Sequence, residues 1–511
     1  MIAGGGVAGL SAAIDLARAG QSVLLLERAS TVGGKMRQLF PPTEPGVEPR
    51  GVDAGPTVMT MRWVFDELFA DAGVDFERRV TLERQDPIAR HFFDDGAVLD
   101  LHHDVEQTAQ AIADFADKRE ARGYRRFIAH AEKIYREVEA PFLRGQRPSF
   151  TQAAKHFGIR GLAALWRIDM RRSMWRALGE FFKDERVRRV FARYATYSGC
   201  SPMLAPATYN LVAHVEQQGV YRVRGGMAKL SESLEALARE LGVAIETSCT
   251  VDEIVIEQGR ARALRLASGE RLEAEAIVWA GDVAALASGK LGEAARAAVK
   301  PVKPTGRSLS AVTWAALATP RGLPLLHHNV LFSGASYPQE FDAIFEHNQV
   351  PEAPTVYLCA QDRGGLRAVN GRERMLLLIN APAAGDDAAR FDAEEISRCE
   401  QRMHETLQRC GLTLEQTSAS VTTPRDFERM FPATGGALYG SAAHSFMAVF
   451  SKEGSRSAIP ALYLAGGSVH PGPGVPMAAL SGRRAAESIC ADLASTATSR
   501  RVAISGGTSM R

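Results

Sequence analysis

The chain has 511 residues, 46% of them hydrophobic, enough for a large core and for more than one substructure. Its charge is nearly balanced, 61 Lys and Arg against 59 Asp and Glu, which gives no case for a nucleic-acid partner. Cysteines at 200, 249, 359, 399, 410 and 490 form no CxxC or CxxH pair, and no HExxH occurs. No metal site is therefore expected, and free thiols in a reducing compartment are. The doublets His102-His103 and His327-His328 are read as non-ligands, because neighbouring side chains diverge on a regular element.

Residues 1–27 read MIAGGGVAGLSAAIDLARAGQSVLLLE. Gly4, Gly6 and Gly9 fit G-x-G-x-x-G. A helix-period segment follows, with Leu10, Ala13, Ile14 and Ala17 on one face, and Gly20 stops it. Ser22 to Glu27 then reads as a buried parallel strand ending in an acid. Each part has a chemical reason. Gly4 permits a tight turn, Gly6 lets the backbone approach a pyrophosphate, and Gly9 lets helix and strand pack closely. The helix N-terminus offers free N–H groups to phosphates, and Glu27 can take both hydroxyls of an adenosine ribose. Only Met1, Ile2 and Ala3 precede Gly4, a short first strand, so the expectation is a true start further upstream. No signal peptide is expected, since the start runs straight into the glycine loop.

Gly33-Gly34-Lys35 follows the ribose acid, and Gly51-Val52-Asp53-Ala54-Gly55-Pro56-Thr57 comes next. Residues 90–103 predict two strands around the turn Asp94-Asp95-Gly96. Helices are expected over about 104–200. The stretch Phe157 to Tyr194 carries Arg160, Arg167, Arg171, Arg172, Arg176, Lys183, Arg186, Arg188, Arg189 and Arg193 among Trp, Phe, Leu and Met residues. It reads either as a membrane-surface segment or as a solvated arginine face over ordinary core. Residues 219–232 predict a strand start, Gly225-Gly226 and a helix, with strands at 243–247, 251–256, 263–266 and 277–282 beyond. Strands are expected at 307–319 and 355–383, a helix at 394–410, and a turn-rich lead at 423–440. The segment ALYLAGGSVHPGPGVPMAALSGRR, 461–484, reads as strand, glycine-proline loop and helix from Met477 to Ile489. Residues 496–511 are expected to be loose. No run of 18 apolar residues occurs, so no membrane-crossing helix is expected.

Glu27 followed by Gly33-Gly34-Lys35 and by Asp53-Ala54-Gly55 resembles the extended fingerprint of FAD-dependent amine oxidases, protoporphyrinogen oxidases and carotenoid desaturases. The stretches DAGPTVMT, 53–60, and GGSVHPGPGVP, 466–476, are most similar to bacterial carotenoid desaturases, particularly the 1-hydroxycarotenoid 3,4-desaturase (methoxyneurosporene dehydrogenase) branch of purple bacteria. The resemblance is dense at 1–65, 215–285 and 420–490. It implies an α/β fold: a Rossmann-like FAD domain with an inserted α+β substrate domain. The FAD domain would comprise 1–85, 215–290 and 425–495, and the substrate domain 86–214 and 291–424. Implied cofactor contacts are Gly4, Gly6, Gly9, Glu27, Gly34, Lys35, Gly55, Pro56, Thr57, Val251, Asp282, Gly467, Gly474, Val475 and Met477. The resemblance implies hydride transfer from an acyclic carotenoid to FAD, with oxygen or a quinone as final acceptor. It also implies a cytoplasmic protein held peripherally at the inner (chromatophore) membrane, because such a substrate must come from lipid. Asp53 and His470 lie in flavin-side motifs, and no proton acceptor is assigned. Alternatives of the same fold are a phytoene desaturase, an amine oxidase and a non-redox prenyl-binding protein.

Overall fold

Val23 to Leu26 is apolar on both sides, as a strand covered by helices on both faces must be. It lies inside a five-stranded parallel sheet ordered Leu462–Leu464, Ile277–Trp279, Ile2–Ala3, Leu24–Leu26, Ala244–Glu246. In this computed structural model, residues 1–505 are described apart from 44, 148–167, 302, 365–368, 370, 446–447 and 449–451. The first helix, Val7–Arg18, is buried from Val7 to Leu16. It crosses the C-terminal helix, Val475–Ser505, so closely that a Cβ on Gly482 would stand 2.0 Å from the Ala8 carbonyl oxygen. Arg483 ties the same two helices: its Nε donates to Asp15 Oδ2 at 2.9 Å, and its other end pairs with Asp71 of the helix Trp63–Asp71.

A second, seven-stranded sheet is ordered Thr413–Thr422, Ser310–Arg321, Glu373–Ala381, Val356–Ala360, His328–Phe332, Ala89–Phe93, Val98–Leu101. The expected turn at Asp94-Asp95-Gly96 joins the last two as an antiparallel hairpin. The helices Lys118–Val138, Met174–Phe181 and Glu185–Ala192 share an aromatic core, with Phe127 and Phe182 each 4.9 Å from Phe191 between ring centroids. A three-stranded antiparallel sheet, Val251–Glu257, Arg260–Leu266 and Arg271–Glu273, follows the strand Ala244–Glu246. All six cysteines are unpaired.

Several expectations change. Residues 496–505, expected to be loose, are assigned to the C-terminal helix, while 506–511 lie outside the described residues. The strands His328–Phe332 and Thr413–Thr422 were not foreseen, nor was the helix Pro424–Met430 within the turn-rich lead, which Thr423 and Asp426 close with a reciprocal capping box. His327 and His328 do not diverge: their ring centroids are 4.5 Å apart, because His327 precedes the strand and escapes its alternation. In the basic stretch, 157–167 with Arg160 and Arg167 lie outside the described residues. Beyond them Met170, Met174, Leu178 and Phe182 are buried core, and Arg172, Arg186 and Arg189 are in ion pairs.

Candidate functional site

Gly4 adopts φ +114°, and a Cβ on Gly9 would sit 1.9 Å from the Gly4 carbonyl oxygen. Only glycine at both positions allows the strand to turn into the helix at this distance. Gly6 caps the helix in an extended conformation and bridges to Gly33, whose N–H donates to the Gly5 carbonyl at 2.8 Å. Gly34 follows with φ +59°, and its Cβ would lie 3.1 Å from the Gly6 Cα. The two glycine segments thus form one backbone cradle at the N-terminus of a 12-residue helix.

Glu27 closes the cradle. Its Oε2 accepts from Gly5 N–H at 2.6 Å and its Oε1 from Ala29 N–H at 2.8 Å. The chain from Glu246 to Cys249 runs beside it: Glu27 N–H donates to the Glu246 carbonyl at 2.8 Å, and Cys249 N–H to the Glu27 carbonyl at 2.9 Å. Val251, two residues on, begins the three-stranded sheet at this end of the cradle.

The other end is built by Asp53 and its neighbours. Asp53 is buried, and burial raises its carboxyl although Oδ2 accepts from Met227 N–H at 2.6 Å and Oδ1 from Gln38 at 3.1 Å. Its backbone is clasped by Gln361, which accepts from Asp53 N–H at 2.9 Å and donates to its carbonyl at 2.8 Å. Gly55 then passes so near Lys35 that a Cβ would come within 1.8 Å of the Lys35 carbonyl oxygen. The Lys35 ammonium donates to the Leu438 carbonyl and lies 4.9 Å from the Phe431 ring. Burial lowers its pKa, partly offset by Asp282. Lys452 is in the same position: burial lowers it, with Cys200 and Asp282 opposing. Asp282, just beyond the strand Ile277–Trp279, accepts from Ala284 N–H at 2.9 Å.

A cavity of about 400 Å³ begins here. Gly55, Pro56, Thr57, Gly474, Val475 and Met477 line it, so the segments 53–60 and 466–476 meet at this cavity. Gly467, in the second segment, lies 3.6 Å by its Cβ position from Pro473. The seven-stranded sheet supplies Val330, Tyr357, Leu376 and Leu378, and the helical side supplies Val138, Phe142, Leu143, Met170, Val212 and Val215. Most of the lining is apolar. The polar exceptions include a chain in which Thr57 Oγ1 and the Tyr357 hydroxyl lie 2.7 Å apart and Tyr357 lies 2.7 Å from His328 Nδ1. Burial holds His328 far below its usual pKa, hence uncharged, and its Nε2 is buried without a partner. His327 Nε2 stands 3.5 Å from the Cys359 thiol beside it. His470 takes no place in the cavity wall: it packs on Phe142 at 4.7 Å between ring centroids, and burial lowers it to about 4.

Arg193, Tyr197, Tyr337, Tyr357 and Lys452 line this cavity without having been expected there. Arg193 stood in the basic stretch and was read with the surface arginines. No local pattern marks the others, since each reaches the cavity by long-range folding.

The chain matches the family of flavin-containing amine oxidoreductases over residues 7–490. It is 47% identical to a hydroxyneurosporene desaturase of Rubrivivax gelatinosus, covering 100% of this chain and 97% of that one. A hydroxyneurosporene desaturase of Cereibacter sphaeroides is 41% identical, over 97% and 98% of the two chains. Among solved structures, cyclohexylamine oxidase from Brevibacterium oxydans IH-35A shares the fold, with a TM-score of 0.52 at 16% identity over 96% and 98% of the chains. The chain belongs to the flavin-containing amine oxidoreductases and, among them, to the carotenoid desaturase family. Its cofactor is FAD. The cradle fits that group: a Cβ on Gly6 would meet nothing nearer than the Gly34 Cα at 3.9 Å, so the backbone is open to a pyrophosphate at the N-terminus of the first helix.

Proposed function

We propose that the protein desaturates an acyclic, 1-hydroxylated carotenoid at C3–C4, in synthesis of the spheroidene or spirilloxanthin type. The carrying observation is the full-length 47% identity to a hydroxyneurosporene desaturase. The apolar cavity at which the segments 53–60 and 466–476 meet supports it. The FAD domain we propose comprises 1–85, 215–290 and 425–495, and the substrate domain 86–214 and 291–424. Within the first, Gly4, Gly6, Gly9 and Gly34 would hold the pyrophosphate, and Glu27 and Val251 the adenosine. Lys35, Gly55, Pro56, Thr57, Asp282, Gly467, Gly474, Val475 and Met477 would hold the flavin side.

Bound FAD supplies a hydride acceptor, and a proton leaves the neighbouring carbon of the substrate. The protein's part is placement. The apolar walls exclude water from an allylic centre that carries positive charge after hydride loss. The Thr57–Tyr357–His328 chain anchors the Gly55–Thr57 segment to the seven-stranded sheet, fixing its distance to the substrate. The substrate has almost no solubility in water, so we propose peripheral attachment to a membrane, with oxygen or a membrane quinone as final acceptor. No helix among the described residues is long and apolar enough to cross a membrane.

The test is to supply purified protein with FAD and lipid-dispersed 1-hydroxyneurosporene or phytoene, and to read products by chromatography with absorbance detection. One new double bond on the hydroxylated carotenoid, with phytoene untouched, is the expected result. Conversion of phytoene alone would replace this substrate assignment with phytoene desaturation.

A further inference from the structure

Arg193 begins the short helix Arg193–Ser198, and it lines the cavity rather than the surface. Its neighbours in the basic stretch are accounted for. Arg186 bridges Asp95 and Asp184, Arg189 pairs with Glu185, and Arg188 lies 3.8 Å from the Trp175 ring centroid. Arg193 makes no ion pair among the described residues, and its Nε is buried with no hydrogen-bond partner. The carboxylate within electrostatic reach, Glu216, accepts from the hydroxyls of Tyr194 at 2.6 Å and Tyr197 at 2.5 Å. The Tyr197 and Tyr194 rings lie 5.5 and 5.7 Å from the guanidinium, and the Tyr197 side chain is its hydrogen-bond partner, which leaves Nε unmatched.

A guanidinium stays charged and carries five N–H donors in a planar fork. An Nε–H left without an acceptor in an apolar cavity is costly, and a hydrocarbon offers it none. An oxygen on the occupant would satisfy it. Position agrees with this chemistry. Arg193 and Tyr357 line the same cavity, and the Tyr357 hydroxyl meets Thr57 of the flavin-side motif. A hydroxyl on C1 of an acyclic carotenoid lies two carbons from C3, so it too must sit close to the reacting bond. Glu216, behind the two tyrosines, offsets the arginine's charge where a cation develops on the substrate.

We infer that Arg193 binds the terminal oxygen of the substrate, selecting oxygenated acyclic carotenoids over their hydrocarbon parents; this rests on the desaturase reading above. The hydroxyl oxygen accepts from the guanidinium, and no covalent step is involved.

The test uses the FAD-loaded protein in detergent micelles with two probes, 1-hydroxyneurosporene and neurosporene. Dissociation constants come from the shift of carotenoid absorbance on binding, and turnover is followed in parallel. Wild type is expected to bind the hydroxylated probe about 10- to 100-fold more tightly, the worth of one hydrogen bond to a charged group. R193M is expected to bring the two probes within about threefold while keeping flavin and hydrocarbon affinity. Should R193M fail to fold, R193Q takes its place, with the same ratio reduced. Equal binding of both probes by wild type, or a wild-type ratio in either folded variant, overturns the inference and leaves Arg193 a cation stacked among tyrosines. A wild type that desaturates neither carotenoid defeats the desaturase reading itself. Turnover of the hydroxylated carotenoid with an unchanged binding ratio defeats only the role given to Arg193.

Discussion

Gly9 has room for a hydrogen and nothing more. In Gly9→Ala the new methyl would meet the Gly4 carbonyl oxygen at 1.9 Å, so either the helix or the turn must move. The overlap is expected to cost about 1–3 kcal/mol and to strip most of the flavin, read as the ratio of flavin to protein absorbance after purification. Residues of this kind were legible in the sequence, because G-x-G-x-x-G, Glu27 and Gly33-Gly34 act through spacings of a few residues. Tyr357 was not: it reaches Thr57 across 300 positions, and nothing near it in the chain signals that meeting. Arg193 was misplaced for a related reason. A basic run looks the same whether its members point to solvent or one of them turns inward. Tyr357→Phe is expected to keep its flavin and lose roughly tenfold in turnover, since Thr57 loses its anchor while the cradle stays intact. Steady-state kinetics on the flavin-loaded variant checks this.

The first and C-terminal helices behave as one element. Gly482 lets them touch, and Arg483 locks them through Asp15 and Asp71. Arg483→Met would leave Asp15, which is 9% exposed, with only the longer contact to Arg18 at 3.6 Å. The expected loss is about 1–3 kcal/mol of unfolding free energy, measured by denaturant titration. Flavin content should fall with it, because the first helix begins at the glycine segments and the C-terminal helix begins in the cavity wall. Elements were readable where hydrophobic periodicity was strong, as in the helix after Gly6 and the strand before Glu27. Thr413–Thr422 escaped because it is the edge of the seven-stranded sheet, where Thr, Ser, Gln and Glu are tolerated and alternation is weak. His328–Phe332 escaped because its five buried residues open on a histidine and an asparagine, which are uncommon in a strand core.

Burial depresses several histidines, among them His91 to about 3 and His327, His444 and His470 each to about 4. Each is held neutral in the folded state but takes up a proton in the unfolded chain below its ordinary value of 6.5. The stability tied to this neutrality is therefore complete above pH 6.5 and is lost as pH falls from there through the folded-state values. Each contributes a slope of up to about 1.4 kcal/mol per pH unit in that window. Melting temperatures taken from pH 7.5 to 5 should fall steeply, and His470→Asn should flatten the curve. The overall plan was legible to the extent that its motifs were dense, at both ends of the chain. The joining of 1–27, 244–279 and 462–464 into one sheet is a long-range outcome that no local pattern encodes. That order of strands also sets a timetable for synthesis. Until Leu462–Leu464 leaves the ribosome, Ile277–Trp279 keeps an open hydrogen-bonding edge, and the loop bearing Gly474 does not yet exist. A nascent chain can form its phosphate cradle early, but flavin loading must wait until translation is nearly over, and a stalled ribosome would carry a sticky, flavin-free intermediate.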